Sequence, residues 1–305
     1  MNYFIEGVQG AGKSTLVGRL AKELPDCHVF REGDYNPVEL AWCSYLTKEQ
    51  YDAVLEKYAR IADEIKEKTT VERVFAPTRV SEEKTTDMRG FVPEGAGAER
   101  AAERCVEKTV KWSGDRTAED RFVLTYTRIL TDIPGFHKDL EQYEIYNGRI
   151  SKEEFEQVIL SRFAKWKGDK QIFECSIFQN IIENQILFYE MTDDEIVAFY
   201  KKLAGTIQVE NYKILYLNVQ WVAGALEVIR KERVDADGNE MWFPLMLGFL
   251  EDCPYGKKHG LKGFDGLVAH LEHRRNLELR ILREVFPEQA VILKSKNYEL
   301  DALGL

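Results

Sequence analysis

Near its start the chain carries Gly7-Val8-Gln9-Gly10-Ala11-Gly12-Lys13-Ser14, a full match to the spacing G-x-x-x-x-G-K-[ST]. The apolar run Tyr3-Phe4-Ile5 precedes it, and a segment with helical periodicity, Thr15 to Leu24, follows it. Such a loop binds phosphate when it joins a strand to a helix, because its backbone N–H groups and the helix N-terminus then face the anion. The stretch therefore predicts a phosphate-binding loop rather than a chance glycine-rich turn.

The residue types in this loop suit a nucleoside triphosphate. Glycines let backbone N–H groups turn inward around phosphate oxygens without interference from a Cβ atom. We expect Lys13 to reach the β- and γ-phosphates and the Ser14 hydroxyl to bind Mg²⁺. Nucleotide binding is assigned to Gly7, Gln9, Gly10, Ala11, Gly12, Lys13, Ser14 and Thr15.

Composition limits the classes of partner. The chain has 305 residues, of which 44% are hydrophobic, enough for one large domain with a buried core. Its 42 Lys and Arg residues against 52 Asp and Glu leave a formal charge of −10. This charge argues against non-specific binding to nucleic acid, although a local positive pocket can still hold a small anion.

The five cysteines are scattered without the spacing of a zinc site or a disulfide framework. The N-terminal residues lack the pattern of a secretory signal, and no apolar run has membrane-spanning length. We therefore expect a soluble cytoplasmic protein with neither a nucleic-acid nor a membrane partner.

Five short apolar runs have the character of buried parallel strands, and helical patterns separate most of them. They are Tyr3-Phe4-Ile5, Cys27 to Phe30, Gln171-Ile172-Phe173, Tyr212 to Val219 and Ala290 to Leu293. We therefore expect an α/β fold, a P-loop NTPase with a parallel, doubly wound sheet, in a single domain over residues 1–305.

The second and third of these runs are roughly 140 residues apart, far more than one crossover helix needs. We predict a large, mostly helical insertion there, an acceptor-side subdomain over residues 35–170. Within it, the run Phe122 to Tyr126 is either a further strand or the buried start of a helix. The segment 81–120 is rich in Glu and Arg, with a solvated helix predicted at 98–110, and is either a surface excursion or part of the substrate mouth.

The rest of the chain narrows the class of nucleotide-binding protein. There is no Asn-Lys-x-Asp segment, and no apolar strand ends in Asp-Glu. Four segments resemble those of the P-loop deoxynucleoside kinase and thymidylate kinase group: Phe30-Arg31-Glu32-Gly33-Asp34, Pro37 to Trp42, Phe173-Glu174-Cys175-Ser176 and Arg230-Lys231-Glu232-Arg233. Gly33 stands where those families have proline, and Cys175 stands where they have arginine.

The resemblance implies roles for three carboxylates. Glu32 would orient the acceptor hydroxyl, Glu174 would hold Mg²⁺ with Ser14, and Asp34 is a second candidate for either task. Independently of the resemblance, a carboxylate directly after a parallel strand lies at the carboxyl edge of the sheet, which the phosphate-binding loop also occupies. The alternative for each is a helix cap or a surface carboxylate.

Two arginines are candidates for a mobile lid. Arg230 and Arg233 lie three residues apart at the end of a predicted helix, just before the loop Asp235 to Asn239. The resemblance implies a lid-like region over residues 230–262 whose arginines stabilise the transferring phosphoryl group. The alternative is an exposed, charged helix end.

Acceptor binding is assigned to Glu32, Asp34, Tyr35, Trp42 and Arg128. Tyr35 and Trp42 either stack on a flat acceptor ring or pack in the core, and Arg128 either binds the acceptor or pairs with an acid. A buried helix is predicted from Ile177 to Tyr189. Its polar residues, which we expect to line the cleft, are Gln179, Asn180, Glu183, Asn184 and Gln185.

Together these features predict an enzyme, an ATP-dependent phosphotransferase that uses Mg²⁺. Its catalytic residues would be Lys13, Glu32, Arg230 and Arg233, and its small-molecule acceptor a nucleoside or nucleoside-like compound. Two alternatives are an antibiotic or other metabolite kinase on the same framework and a regulatory P-loop NTPase without an acceptor other than water. The segment Leu267 to Val285 is either a homodimer contact or a plain surface helix.

Overall fold

The computed structural model describes residues 1–75 and 118–296. The predicted helix at 98–110, and the segment 81–120 apart from its last three residues, lie outside them. In chain order the elements are β1 (Asn2–Glu6), α1 (Lys13–Glu23), β2 (His28–Phe30), β3 (Ser44–Leu46), α2 (Lys48–Lys57), α3 (Ala62–Glu67), β4 (Thr69–Phe75), β5 (Ala118–Leu124), α4 (Phe136–Glu141), α5 (Lys152–Lys165), β6 (Gln171–Glu174), α6 (Gln179–Leu187), α7 (Asp193–Thr206), β7 (Tyr212–Asn218), α8 (Val222–Glu232), α9 (Trp242–Asp252), α10 (Pro254–His259), α11 (Gly263–Glu284) and β8 (Ala290–Lys294).

The five predicted strands form one sheet in the order β2-β6-β1-β7-β8, and all of its pairings are parallel. All five residues of the central strand β1 are buried. Because successive side chains of a strand point to opposite faces, both faces of the sheet are covered at its centre. The prediction of an α/β fold with a parallel sheet is confirmed. The carboxyl ends of β1, β6 and β7 consequently lie at one edge.

The interval between β2 and β6 holds a second sheet, antiparallel and three-stranded, in the order β3-β5-β4, besides helices α2 to α5. The expected mostly helical insertion is therefore a mixed α/β unit. β5 pairs with segments far away in sequence, at 44–46 and 69–75, so local periodicity gives no sign of the pairing. The run Phe122 to Tyr126 is the end of a strand followed by a 3₁₀ turn at Tyr126–Arg128.

A separate apolar core stabilises this unit. The ring of Tyr51 on α2 stacks on Phe122 of β5 with 4.4 Å between centroids, and Tyr58 meets Phe136 of α4 edge to face at 4.9 Å. The cluster around them contains Leu46, Val54, Ile65, Leu124, Tyr126, Ile129 and Leu140, all buried. This core holds the inserted unit together independently of the parallel sheet.

Helix α11 places its apolar face inside the chain. Leu267, Leu271, Leu277 and Ile281 are all buried, in the same core as the parallel sheet. A second copy of the chain is not needed to cover them, so the homodimer contact stays a prediction. Among the helices that the structure describes, none is both long and apolar enough to cross a membrane.

A buried carboxyl group lies in the segment that follows β2. Tyr146 Oη and the backbone N–H of Ala41 donate to Oε1 of Glu39 at 2.6 and 2.5 Å. Burial nevertheless raises the pKa of Glu39 to about 8, because the ionised form loses its hydration. The folded protein therefore keeps this proton up to a much higher pH than an unfolded chain does.

We predict that Glu39 makes stability fall as pH rises. An unfolded glutamate ionises near pH 4.3, so the contribution is fully present below that pH and is lost as pH rises through about 8. Each pH unit in this window changes the free energy of unfolding by up to about 1.4 kcal/mol. Urea unfolding at pH 6, 7, 8 and 9 should show the wild type losing stability relative to Glu39→Gln, whose amide does not titrate. Parallel curves for the two proteins would contradict this prediction.

Candidate active site at the carboxyl edge of the parallel sheet

The loop between β1 and α1 has the backbone that its glycines predict. Gly7, Gly10 and Gly12 have φ angles of 139°, 78° and 91°, in the region that side chains disfavour. A Cβ on Gly7 would lie 2.6 Å from the backbone oxygen of Leu217, and one on Gly10 would lie 2.7 Å from Cδ1 of Ile229. Backbone of β7 and the side chain of Ile229 on α8 therefore enclose the loop over residues 7–14, which is named the cradle.

Lys13 is buried and turned into this cradle. Its Nζ donates to the backbone oxygens of Gly7 at 2.7 Å and Val8 at 3.2 Å. The first turn of α1 contains no acidic side chain, unlike those of α2, α3 and α7. No carboxylate of α1 itself therefore neutralises the positive end of the helix dipole, and this end can attract a bound anion.

Three further loop residues, Ala11, Ser14 and Thr15, lie where the loop enters α1. The backbone N–H of Ala11 donates to Val8 O at 3.2 Å, and Ala11 O accepts from Ser295 Oγ, just after β8, at 2.9 Å. Ser14 and Thr15 are both exposed on the first turn of α1. The loop is therefore held in place by a hydrogen bond from the segment that follows β8.

Ser14 and Glu174 are hydrogen-bonded to each other. Ser14 Oγ donates to Glu174 Oε1 at 2.5 Å, because β6 is the parallel neighbour of β1 and pairs Glu174 with Ile5. Arg31, at the end of β2, lies with Nη1 3.7 Å from Glu174 Oε2. A hydroxyl and a carboxylate are hard oxygen donors, the kind that Mg²⁺ prefers. The pair consequently fits a Mg²⁺ ion held jointly with substrate phosphates.

Glu32 lies close to the same edge. Its Oε1 accepts from Gln179 Nε2 at 2.9 Å and from Trp42 Nε1 at 3.3 Å, and its backbone oxygen accepts from Arg128 Nη2 at 3.0 Å. Cys175, the residue after Glu174, is buried. Burial raises the pKa of its thiol, and the charges of Lys13, Glu32, Glu6 and Glu174 all act on it. Cys175 Sγ also donates to Gln179 Oε1 at 3.5 Å, so hydrogen bonds connect the residue that follows Glu174 with Glu32.

Asp34 and Arg128 form an ion pair, with 2.7 Å between Asp34 Oδ1 and Arg128 Nη2. Asp34 also accepts from the backbone N–H of Arg31 at 2.9 Å. The alternative of an acid partner for Arg128 is therefore realised. Both residues nevertheless face a cleft of about 480 Å³. Its other lining side chains include Tyr35, Lys68, Thr70 and Thr125.

The two candidate aromatic residues have different environments. Tyr35 packs against the main core and donates from Oη to Glu72 Oε1 at 2.8 Å. The Trp42 side chain is half exposed, and its backbone has a φ of 63°, which is rare outside glycine. Trp42 is therefore the better placed of the two to stack on a ligand.

The two lid candidates, Arg230 and Arg233, contact residues that follow them closely in sequence. Ile229 of α8 contacts Gly10, and the next residue, Arg230, forms a two-point ion pair with Glu240 at 3.0 and 3.1 Å. The guanidinium of Arg230 also lies over the Phe243 ring at 4.2 Å. The guanidinium of Arg233 lies over Trp242 at 5.1 Å. The guanidiniums of both arginines thus contact residues 240–243, and Arg230 directly follows the residue that contacts the loop.

Helix α6 places its polar residues differently from expectation. Asn184 and Gln185 are buried, and Glu183 belongs to an internal ion cluster. Only Gln179, at the start of the helix, reaches a predicted site residue, Glu32. The expectation that all five polar residues line the cleft is corrected, because the helix is surrounded by other elements.

A residue that sequence reasoning missed, Arg274, supports the loop from behind. It is fully buried on α11, and its Nη2 donates to Gln9 Oε1 at 2.9 Å. Its Nη1 pairs with Glu183, and its Nε lies 3.1 Å from Glu278 Oε1. Burial would raise the pKa of Glu183, but His270 and Arg274 outweigh it and lower this pKa to about 2. Nothing in a charge-rich helix sequence distinguishes such an arginine from a solvated one.

No metal site made of protein ligands alone is present in the described part of the chain: no group of three or more His, Cys, Asp or Glu residues has the required arrangement. Comparisons with protein-family models, curated proteins and solved structures give no match to this chain.

Proposed function

We propose that this chain is an ATP-dependent phosphotransferase with a P-loop NTPase fold that transfers the γ-phosphoryl group to a hydroxyl of a small-molecule acceptor. One observation carries the proposal: the phosphate-loop residues Lys13 and Ser14 lie at the same sheet edge as Glu174 and Glu32. A cation for the phosphates, oxygen ligands for Mg²⁺ and a carboxylate for the attacking hydroxyl are the parts that phosphoryl transfer requires.

Each residue has a defined part in the reaction. The loop N–H groups and Lys13 bind the β- and γ-phosphates, and Ser14 with Glu174 would hold Mg²⁺. The ion, when bound, neutralises charge on the phosphate oxygens. Glu32 accepts the proton of the acceptor hydroxyl, whose oxygen forms a bond to the γ-phosphorus while the bond from that phosphorus to the bridging oxygen of ADP breaks.

The lid arginines would complete the site after a local movement. Arg230 would exchange its exposed ion pair with Glu240 for the transferring phosphoryl group, and Arg233 is close behind it. Exposed ion pairs contribute only about 0–1 kcal/mol, and the contact with the Phe243 ring, which would also be lost, contributes about 0.5–2 kcal/mol. The lid is accordingly proposed to close when the nucleotide binds.

The acceptor class has two candidates. A nucleoside is favoured by the resemblance of the Glu32 and Glu174 segments to deoxynucleoside kinases and by the half-exposed Trp42 beside Glu32. A hydroxyl-rich metabolite, including an aminoglycoside-like antibiotic, is favoured by the lining of the 480 Å³ cleft, where charged and hydroxyl side chains prevail. Both are acceptors for the same reaction.

Transfer from γ-labelled ATP with Mg²⁺ to pooled nucleosides, nucleotides and hydroxylated antibiotics tests the proposal. We expect labelled product in one pool and ATP turnover that rises at least tenfold when the matching compound is added. ATP hydrolysis that is fast alone and indifferent to every pool would instead support the other class, a regulatory P-loop NTPase. Absence of ATP binding would contradict both.

A further inference from the structure

We propose that Gln179 is a positioning residue that, together with Trp42, holds the Glu32 carboxylate by Oε1 and presents its Oε2 to the acceptor hydroxyl. The role of Glu32 in this inference rests on the proposed function. The contacts between Gln179, Trp42 and Glu32 are observed whatever that function is. Gln179 is the first residue of α6, and nothing in the sequence pattern links it to Glu32.

The contacts to Glu32 are directional. Gln179 Nε2 donates to Oε1 at 2.9 Å, and Trp42 Nε1 donates to the same oxygen at 3.3 Å. Two donors on one carboxylate oxygen fix the rotation of the carboxyl group. We therefore assign Oε2 to the acceptor.

Gln179 is itself held in place. Its side chain is buried, with 7% exposure. Cys175 Sγ donates to its Oε1 at 3.5 Å, so the amide NH₂ is the end that faces Glu32. The backbone N–H groups of Ile177 and Gln179 both donate to the Glu6 carboxyl at the end of β1, at 2.8 and 3.4 Å. The amide is thus anchored to the strand that precedes the phosphate-binding loop.

The backbone between β6 and α6 is shaped for this arrangement. Cys175 has a φ of 59°, a conformation that costs a residue with a side chain free energy. The turn brings the start of α6 back toward the sheet edge. A strained residue between the proposed metal ligand Glu174 and the helix that carries Gln179 is consistent with a constraint on the geometry of the site.

Several other charged and titratable groups act near Glu32. Arg128 donates to its backbone oxygen, and Asp34 follows it two residues later in an ion pair with Arg128. Glu39 and Cys175 are buried nearby and interact electrostatically with Glu32. The Gln179 and Gln185 variants keep all of these groups. A difference between their titration curves and that of the wild type therefore measures the effect of the replaced side chain.

The test uses Trp42 as a probe of Glu32 and needs neither nucleotide nor acceptor. Tryptophan fluorescence is titrated from pH 8 to acid pH in the full chain, with circular dichroism to confirm folding at every point. Subtracting the titration of Trp42→Phe isolates the Trp42 signal from those of the other four tryptophans. Glu32→Gln should abolish the transition, because its side chain does not titrate.

In Gln179→Met, which fills the site but donates nothing, we expect the transition midpoint to move to higher pH by about one unit. A hydrogen bond to a charged group has roughly that effect. Gln179→Asn, which is smaller and withdraws the donor, should give the same direction even if the Met variant folds poorly. Gln185→Met is the matched control: Gln185 is on the same helix and fully buried, and its replacement should leave the midpoint unchanged.

Two results would overturn the inference. In the first, Glu32→Gln removes the transition, but both Gln179 variants have the same midpoint as the wild type. The other is a Trp42 transition that survives Glu32→Gln, since Trp42 would then not report Glu32 at all. Neither result depends on phosphoryl transfer, so failure of the proposed function is recognised separately, in the acceptor screen.

Discussion

Replacing Lys13 with alanine is expected to reduce phosphoryl transfer at least about a hundredfold. The Nζ of Lys13 is buried in the loop and is the positive charge that would meet the β- and γ-phosphates. Removing one preorganised donor from a transition state typically costs about 10²–10³ in rate. Single-turnover transfer from labelled ATP to the acceptor found in the screen measures the effect, and circular dichroism checks the fold.

The matched control is Lys22→Ala, an exposed lysine in the last turn of the same helix. It removes the same charge without touching the loop and should retain near wild-type transfer. A Lys13→Ala protein that keeps more than about a tenth of wild-type turnover would contradict the phosphate role, because losses at such clamps are far larger.

Replacing Glu32 with glutamine is expected to lower kcat by about 10²–10⁴, the usual contribution of a positioned general base. The amide keeps the size of the side chain, and its oxygen can still accept from Gln179 and Trp42, so the local fold should survive. The KM for ATP should change little, because the nucleotide is held mainly by the loop between β1 and α1. Steady-state kinetics with ATP and acceptor varied independently measure both effects.

Glu56→Gln provides the comparison, since Glu56 is an exposed carboxylate on α2 and its loss should leave kcat and KM near wild type. If Glu32→Gln instead weakens ATP binding strongly while kcat stays close to the wild type, Glu32 serves the metal or the fold. The assignment of the acceptor hydroxyl to Glu32 would then be wrong.

The positions of the strands and of the loop could be predicted from sequence because both are local properties. The apolar runs that became β1, β6 and β7 are buried on both faces, so their composition alone marks them. The loop motif combines glycines and a lysine at fixed spacing, and three of its glycines do adopt positive φ angles. Glu174 was also predictable, because a residue that ends a strand beside β1 lies at the loop's edge of the sheet.

Other features depend on contacts between segments far apart in sequence. The antiparallel sheet of the insertion pairs β4 and β5 across the interval 76–117, and no local pattern encodes that pairing. Arg230 and Arg233 have the spacing of lid residues, but whether they face the cradle depends on Glu240, Phe243 and Trp242, and the structure turns them toward these partners.

What the sequence determined by itself is a parallel α/β sheet and a loop with the residues of a phosphate cradle, since backbone preferences and burial on both faces act over a few neighbouring residues. What only the tertiary structure decided is which side chains meet around the cradle. Gln179 reaches Glu32 across 147 positions, and Arg274 reaches Gln9 across 265. Such contacts depend on how the helices pack. In the apolar interior a charged or amide group without a hydrogen-bond partner costs free energy, and the packing of distant segments decides which partner is near.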